Sequence, residues 1–255
     1  MKVEEKPRLD QCLKQLRLPS FAANAYQQAG LATNEGWPHA RYLLELSELE
    51  LADRKTRRIE RLLADSKLPR EKTAQAFEHD RLGPEVIQKW NGLKSGAFLA
   101  RRENVLAFGN PGSGKTHLVC ALGHELVQKG YGVAFTTCAM LVQKLLSAKV
   151  KLRLERELRR LDKYEALIID DLGYVQQSRE EMEVLFTLLA HRYEHRSVMI
   201  TSNLVFSQWE KIFKDPMTTA AAIDRLVHHS VILELNIESY RMATAKAAKE
   251  QPDPI

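Results

Sequence analysis

Gly109-Asn110-Pro111-Gly112-Ser113-Gly114-Lys115-Thr116 decides how this chain is read. The run fits the phosphate-binding loop G-x-x-x-x-G-K-[ST]. Gly109, Gly112 and Gly114 free the backbone to turn tightly and aim its N–H groups at phosphate oxygens. Lys115 brings a point charge to the β- and γ-phosphates of ATP, and the Thr116 hydroxyl is a ligand for Mg²⁺. The flanks agree with the loop. Val105-Leu106-Ala107-Phe108 is an apolar strand leading in, and Leu118, Leu122 and Leu126 follow at helical spacing. The loop therefore opens a helix, whose N-terminal dipole favours anions.

Working outward, Ala166-Leu167-Ile168-Ile169-Asp170-Asp171 is a second apolar strand, ending in two carboxylates. A continuously apolar strand suits the interior of a parallel sheet. Beside a phosphate loop, such an ending is what a Walker B element requires: Asp170 to hold Mg²⁺ through water, Asp171 to orient or deprotonate the attacking water. A third strand, Val198-Met199-Ile200-Thr201-Ser202-Asn203, ends in polar groups able to reach the γ-phosphate or that water. Alone, this last signal is weak; its position after the two stronger motifs gives it meaning.

The chain has 255 residues, 44% hydrophobic and 28% charged, with a net charge of +5. That suits one α/β domain with an appendage, and the charge is compatible with nucleic-acid binding without being diagnostic of it. Cys12, Cys120 and Cys138 are odd in number and widely spaced. They form no metal pattern and no disulfide framework, which points to a reducing cytoplasm. The apolar runs fall short of the ~20 residues of a membrane span, and the N-terminus lacks the apolar core of a signal peptide.

Residues 1–66 are predicted to form a helical domain for partner or DNA binding. Its first helical segment is interrupted at Pro19, and a second runs from about Pro38 to Asp65. The second carries Arg54, Arg57, Arg58 and Arg61 on one stripe. Glu50 and Asp53 precede Arg54 and Arg57 by four, so a solvated, salt-bridged face and a DNA-contacting face fit equally well. Residues 67–103 read as a linker packing on the core, where Phe77 or Trp90 either approaches the nucleotide base or packs inside. Residues 104–241 alternate strand and helix, with strands over 104–108, 132–137, 166–170, 197–201 and 230–235 and helices over 139–161. This pattern implies a parallel sheet covered by helices. Residues 242–255 are read as a flexible tail. Lys149, Lys151, Arg153, Arg156 and Arg160 belong to a dense basic run over 144–163, where phosphate contact competes with a plain solvated face.

These motifs resemble an AAA+ ATPase of the initiator and helicase-loader branch, and most closely the IstB-like family, ATP-binding helpers of insertion-sequence transposition. The resemblance is carried by Gly109 to Leu118, Leu167 to Tyr174, Arg192 to Ser197, Ile200 to Leu204, Ala222 to His229 and Glu238 to Arg241, with a diffuse likeness over Leu16 to Ala64. It implies an α/β fold with a five-stranded parallel AAA+ sheet and an N-terminal helical domain. It implies a protein that oligomerises on duplex DNA with ATP, largely without sequence preference, and directs and activates a partner transposase. By matching positions, Asn203 would be the first sensor, Arg225 an arginine finger for a neighbour's ATP, and Arg241 a reduced second sensor. Gly109 to Thr116 with His117 would hold the nucleotide, and the basic 139–163 segment would face DNA. Two departures stand out. Asp171 replaces the usual Glu, and the residues after the last strand are too few for the usual C-terminal lid. A DnaC-like helicase loader shares the same core and is the alternative reading. A P-loop small-molecule kinase is a third, which Asn203 and Arg225 argue against.

Overall fold

In the computed structural model, residues 5–173, 178–205, 208–209 and 216–237 are described, so Arg241 and the tail lie outside the described residues. The chain divides into a unit of residues 1–61 and a unit of residues 62–255.

The first unit holds α1 (Glu5–Gln15), α2 (Pro19–Asn34) and most of α3 (His39–Ser66). Pro19, expected to interrupt a helix, begins one: it occupies the first turn of α2, where its fixed φ fits and its missing N–H costs nothing. Leu13, Ala25 and Leu46 form the apolar interior. A buried carboxylate joins the helices. Glu50 of α3 accepts from the Ser20 backbone N–H at 2.9 Å and from Arg54 Nε at 2.7 Å, while Arg54 Nη2 reaches the Arg17 carbonyl at 2.7 Å. Burial pushes the Glu50 carboxyl up, but the hydrogen bonds from Arg54 and Ser20 outweigh it and hold the group below the usual carboxylate range. Arg57 donates to the Asp53 carbonyl and lies 3.8 Å from Glu50. Arg54 and Arg57 of the Arg54–Arg61 stripe are therefore engaged in holding this unit together.

The second unit is built on a five-stranded sheet in the order β2-β3-β4-β1-β5, with β1 (Asn104–Gly109), β2 (Val133–Thr137), β3 (Ala166–Leu172), β4 (Ser197–Ser202) and β5 (Ser230–Leu235). All pairings are parallel. Before β1, residues 67–103 carry a short 3-10 turn, α4 (Pro84–Leu93) and α5 (Ala97–Ala100). Parallel strands need crossovers, supplied here by α6 (Lys115–Gln128), α7 (Cys138–Val150), α8 (Leu154–Leu161), α9 (Arg179–Arg192) and α10 (Pro216–Val227). With helices packed against the sheet, β1, β3 and β4 are buried almost throughout, which is why each carries an apolar run, Val105–Phe108, Ala166–Ile169 and Val198–Ile200. Cys120 and Cys138 are packed inside, and burial pushes the Cys120 thiol up to about 12.

The helices expected over 139–161 are α7 and α8, and the sequence did not place the break between them. α7 stops at a Schellman motif: Leu152 sits at φ 53°, its N–H donates to the Lys149 carbonyl, and the Arg153 N–H donates to the Ala148 carbonyl. A leucine holds a place that favours glycine, so nothing in the residue pattern signals the break. α8 then returns Leu158 and Leu161 to the core.

One buried cation clamps this region. Arg192, at the end of α9 and 1% exposed, donates to the carbonyls of Leu161 at 3.0 Å, Tyr164 at 3.1 Å and Ser197 at 2.9 Å. Burial pulls its guanidinium down to about 10, so it stays charged at neutral pH. Arg192→Leu leaves those carbonyls without their donor, at ~1–3 kcal/mol each. The expected loss is about 3 kcal/mol of unfolding free energy by urea denaturation, and a loss below ~1 kcal/mol would contradict the clamp.

Candidate nucleotide site

Ligand sites in open parallel sheets lie beyond the carboxyl ends of the strands. The strand order brings the ends of β1, β4 and β3 together, with Phe108 and Leu172 both opposite Ser202. Gly109 closes β1 where no side chain fits: a Cβ there would lie 2.5 Å from the Leu235 carbonyl oxygen of β5. Gly114 caps α6 at φ 89°, a left-handed conformation that suits glycine. Between them the loop curls around Lys115, which is 6% exposed and donates from Nζ to the carbonyls of Gly109 and Asn110, both at 2.8 Å.

Thr116 stands in the first turn of α6, and its hydroxyl donates to Asp170 Oδ1 at 2.8 Å. Asp170 is buried at the end of β3 and receives a second hydroxyl, from Thr201, at 2.6 Å on the same oxygen. Asp171 has left the strand geometry. It lies at φ 60°, where β3 and β4 slip register between Ile169 and Leu172, and its side chain turns outward. Such a bulge re-aims a side chain at the end of a strand. One carboxylate thus faces into the protein and its neighbour faces the cleft.

That cleft measures about 520 Å³, and its walls include Lys72, Phe77, Arg81, Lys115, Asp171 and Asn203. The size falls in the ~300–1,000 Å³ range of small-molecule sites. Pro111, Gly112, Ser113, Gly114, Thr116 and His117 also border it. His117 in addition holds a neighbouring segment in place. Its Nε2 donates to the Thr73 carbonyl at 2.9 Å, as His124 Nε2 does to the Pro69 carbonyl at 3.0 Å. These bonds strap residues 69–73 along α6. The strap's continuation carries Phe77, which packs edge-on against His117 and lines the cleft. Trp90 instead is buried, its indole N–H donating to the Leu118 carbonyl at 3.2 Å. Of the two aromatics named from the sequence, Phe77 reaches the cleft and Trp90 packs inside, whereas Lys72 and Arg81 escaped the sequence reading because no motif spacing ties them to the loop. Their place in a polar linker just before β1 was the one available signal.

The donor set suits Mg²⁺, a hard cation that takes oxygen ligands and keeps much of its water. Thr116 supplies a hydroxyl and Asp170 a carboxylate whose Oδ2 is left for a metal-bound water. Among the described residues no cluster of three or more His, Cys, Asp or Glu side chains offers a fully protein-built cage, as expected where phosphates complete the shell. The ion would neutralise charge on the β- and γ-phosphates.

Other candidates lie elsewhere. Arg225 of α10 is half-buried, with its guanidinium 4.9 Å from the Phe186 ring centre and Nη1 without a hydrogen-bond partner among the described residues. The basic run forms a separate cleft of about 600 Å³ between α7 and α8. There Lys144 and Arg160 share Glu157, at 3.1 and 2.7 Å, while Lys149 pairs with Glu183 at 2.8 Å. Lys151, Arg153 and Arg156 make no ion pair among the described residues.

The geometry separates binding from turnover. Lys115→Ala should weaken ATP binding about 10–100-fold, the worth of a charge-assisted hydrogen bond of ~1.5–3 kcal/mol. Asp171→Asn should keep ATP affinity while lowering turnover about 10²–10⁴-fold, the usual contribution of a general base. Fluorescent-nucleotide titration and phosphate release check both, and parental values in either variant would remove that residue from its role.

Comparison with known proteins gives the site its context. The family model described as IstB-like ATP-binding protein matches residues 11–248. A putative insertion sequence ATP-binding protein of Sinorhizobium fredii (y4iQ/y4nD/y4sD) is 46% identical over 246 residues, covering 96% of this chain and 83% of that protein. The putative ATP-binding protein of insertion sequence IS5376 from Geobacillus stearothermophilus is 35% identical over 246 residues, covering 96% of this chain and 98% of that one. Among solved structures, DnaI superposes with a TM-score of 0.56 at 20% identity, over 68% of this chain and 94% of that chain, a likeness of fold. Sequence and architecture agree, and the chain belongs to the IstB-like ATP-binding proteins, built on an AAA+ P-loop NTPase fold.

Proposed function

We propose that the chain is an ATP-hydrolysing, DNA-binding helper of insertion-sequence transposition, which assembles with copies of itself on duplex DNA and directs and activates a partner transposase. Family membership supports the transposition setting, since the relatives' names place them in insertion sequences. The observation that carries the DNA half is the α7–α8 cleft, where Lys151, Arg153 and Arg156 line a basic concavity without carboxylate partners among the described residues. Cations already neutralised by Glu or Asp gain little from phosphate, so these three are better candidates than Lys149 or Arg160. Arg54 and Arg57 of the other basic stripe are engaged within the first unit, which weakens that stripe as a candidate.

Within the ATPase cycle, the phosphate loop and Lys115 bind the triphosphate, Thr116 and Asp170 would hold Mg²⁺, and Asp171 orients or deprotonates the attacking water. Asn203 faces the same cleft and orients that water or the γ-phosphate. Arg225 acts on a neighbouring subunit's ATP: its guanidinium lies on a helix apart from the residues lining this chain's cleft. Free cysteines and the absence, among the described residues, of a helix long and apolar enough to cross a membrane suit a cytoplasmic protein. The DnaC-like loader reading rests on fold likeness alone.

Two outcomes test this function. Replacing Lys151, Arg153 and Arg156 together by Ala should weaken duplex binding on all sequences and flatten the slope of log affinity against log salt by about 2–3, at ~0.9 per phosphate contact. An unchanged slope would move the DNA contact elsewhere. Absence of ATP-dependent duplex binding in the parent would favour the loader reading. Arg225→Ala should bind ATP but lose turnover by about 10³-fold or more. Mixing it with Asp171→Asn should partly restore hydrolysis, because each variant supplies what the other lacks. No restoration at any ratio would return Arg225 to a role within one subunit.

A further inference from the structure

The hydroxyl of Thr201 hydrogen-bonds to both acids of the nucleotide site. It donates to Asp170 Oδ1 at 2.6 Å and accepts the Asp171 backbone N–H at 2.9 Å. We propose that Thr201 is a positioning residue for ATP hydrolysis, setting the metal-side and water-side carboxylates together through one hydroxyl.

The physics starts from what a hydroxyl can do. It has one hydrogen and two lone pairs, and a rotor that is otherwise free. Here the hydrogen is committed to Asp170 and a lone pair to Asp171, so the rotor is fixed. Thr201 itself is fully buried on β4, between β1 and β3, among strand residues that are otherwise apolar apart from the terminal serines. A threonine at this place costs burial of a polar group, and that cost is offset only because both hydrogen-bonding partners are present.

Each bond has a separate consequence. The bond to Asp170, with that from Thr116, puts two donors on Oδ1 and so holds the carboxylate in one rotation. The bond to Asp171 anchors the amide of a residue at φ 60°, a conformation that non-glycine residues rarely adopt, and so fixes the direction in which the second carboxylate points. Thr116 cannot replace Thr201 in this, because it belongs to the phosphate-binding helix rather than to the strand beside Asp171. Groups placed behind metal ligands in this way change metal affinity or activity by about 10–100-fold when removed.

The test compares Thr201→Val, of similar shape but without the hydroxyl, with Thr201→Ser, which keeps it. ATP affinity is measured with mant-labelled ATP in Mg²⁺ and in EDTA, alongside steady-state phosphate release. Thr201→Val should keep parental affinity in EDTA, lose about 10–100-fold of the gain in affinity that Mg²⁺ provides, with KM rising in step, and lower kcat by a similar factor. Thr201→Ser should restore both. If Thr201→Val does not fold, Thr201→Ala carries the same readouts in a smaller side chain. A valine or alanine variant with parental Mg²⁺ dependence and kcat would overturn the proposal. So would a serine variant that restores neither, or a loss of affinity in EDTA equal to the loss in Mg²⁺, because each shows the position to matter only for shape or folding.

Discussion

The nucleotide site depends on one oxygen atom. Asp170 Oδ1 accepts hydroxyls from Thr116 and Thr201, and through them a helix and two strands are tied at one point. Strand order makes this tie necessary. The phosphate loop leaves β1, the acids leave β3, and β4 lies between them. Thr116 joins the phosphate loop to Asp170 directly, and Thr201 adds the side-chain tie from the strand between them. A carboxylate this deeply buried is costly unless hydrogen-bonded, so the same contacts that organise the chemistry also make the buried charge tolerable.

Around that centre, glycine, bulge and strap each solve a local problem. Gly109 admits β5 beside the start of the loop, where a Cβ would meet the Leu235 carbonyl. The register slip in β3 sends Asp171 outward while leaving Asp170 inside. Two histidines hold the residues before β1 along α6, and the continuation of that segment brings Phe77, with Lys72 and Arg81, to the cleft wall. The cleft is therefore furnished from both sides of the loop in sequence, although one side alone carries a motif.

Much of this was legible in the chain. Gly109 to Thr116, the apolar run ending in Asp170-Asp171 and the strand ending at Asn203 announced a parallel sheet and its functional edge, because buried parallel strands must be apolar until they reach it. Thr201 was within view, in a strand whose end was read as polar. Its role was not, because sequence shows a hydroxyl but not what lies across a sheet from it. The break at Leu152 was hidden for a different reason: a leucine occupies a left-handed position where glycine or asparagine would have signalled a stop. The Arg54–Arg61 stripe was ambiguous by periodicity, and the buried Glu50 shows why. A helix face that looks uniformly cationic includes two members paired inward.

The basic cleft sits in the crossover between β2 and β3, and the same β3 ends in the acid pair. Arg192 fastens the end of α8 to the start of β4, the strand that carries Thr201. The central claim, that Mg²⁺ and ATP are held where the phosphate loop meets Asp170, is tested most directly by amide hydrogen exchange. Adding ATP with Mg²⁺ should slow exchange across residues 109–118 and at Asp171, whereas Mg²⁺ alone should not. Protection confined to residues 144–163, or none in the loop at saturating ATP, would contradict it.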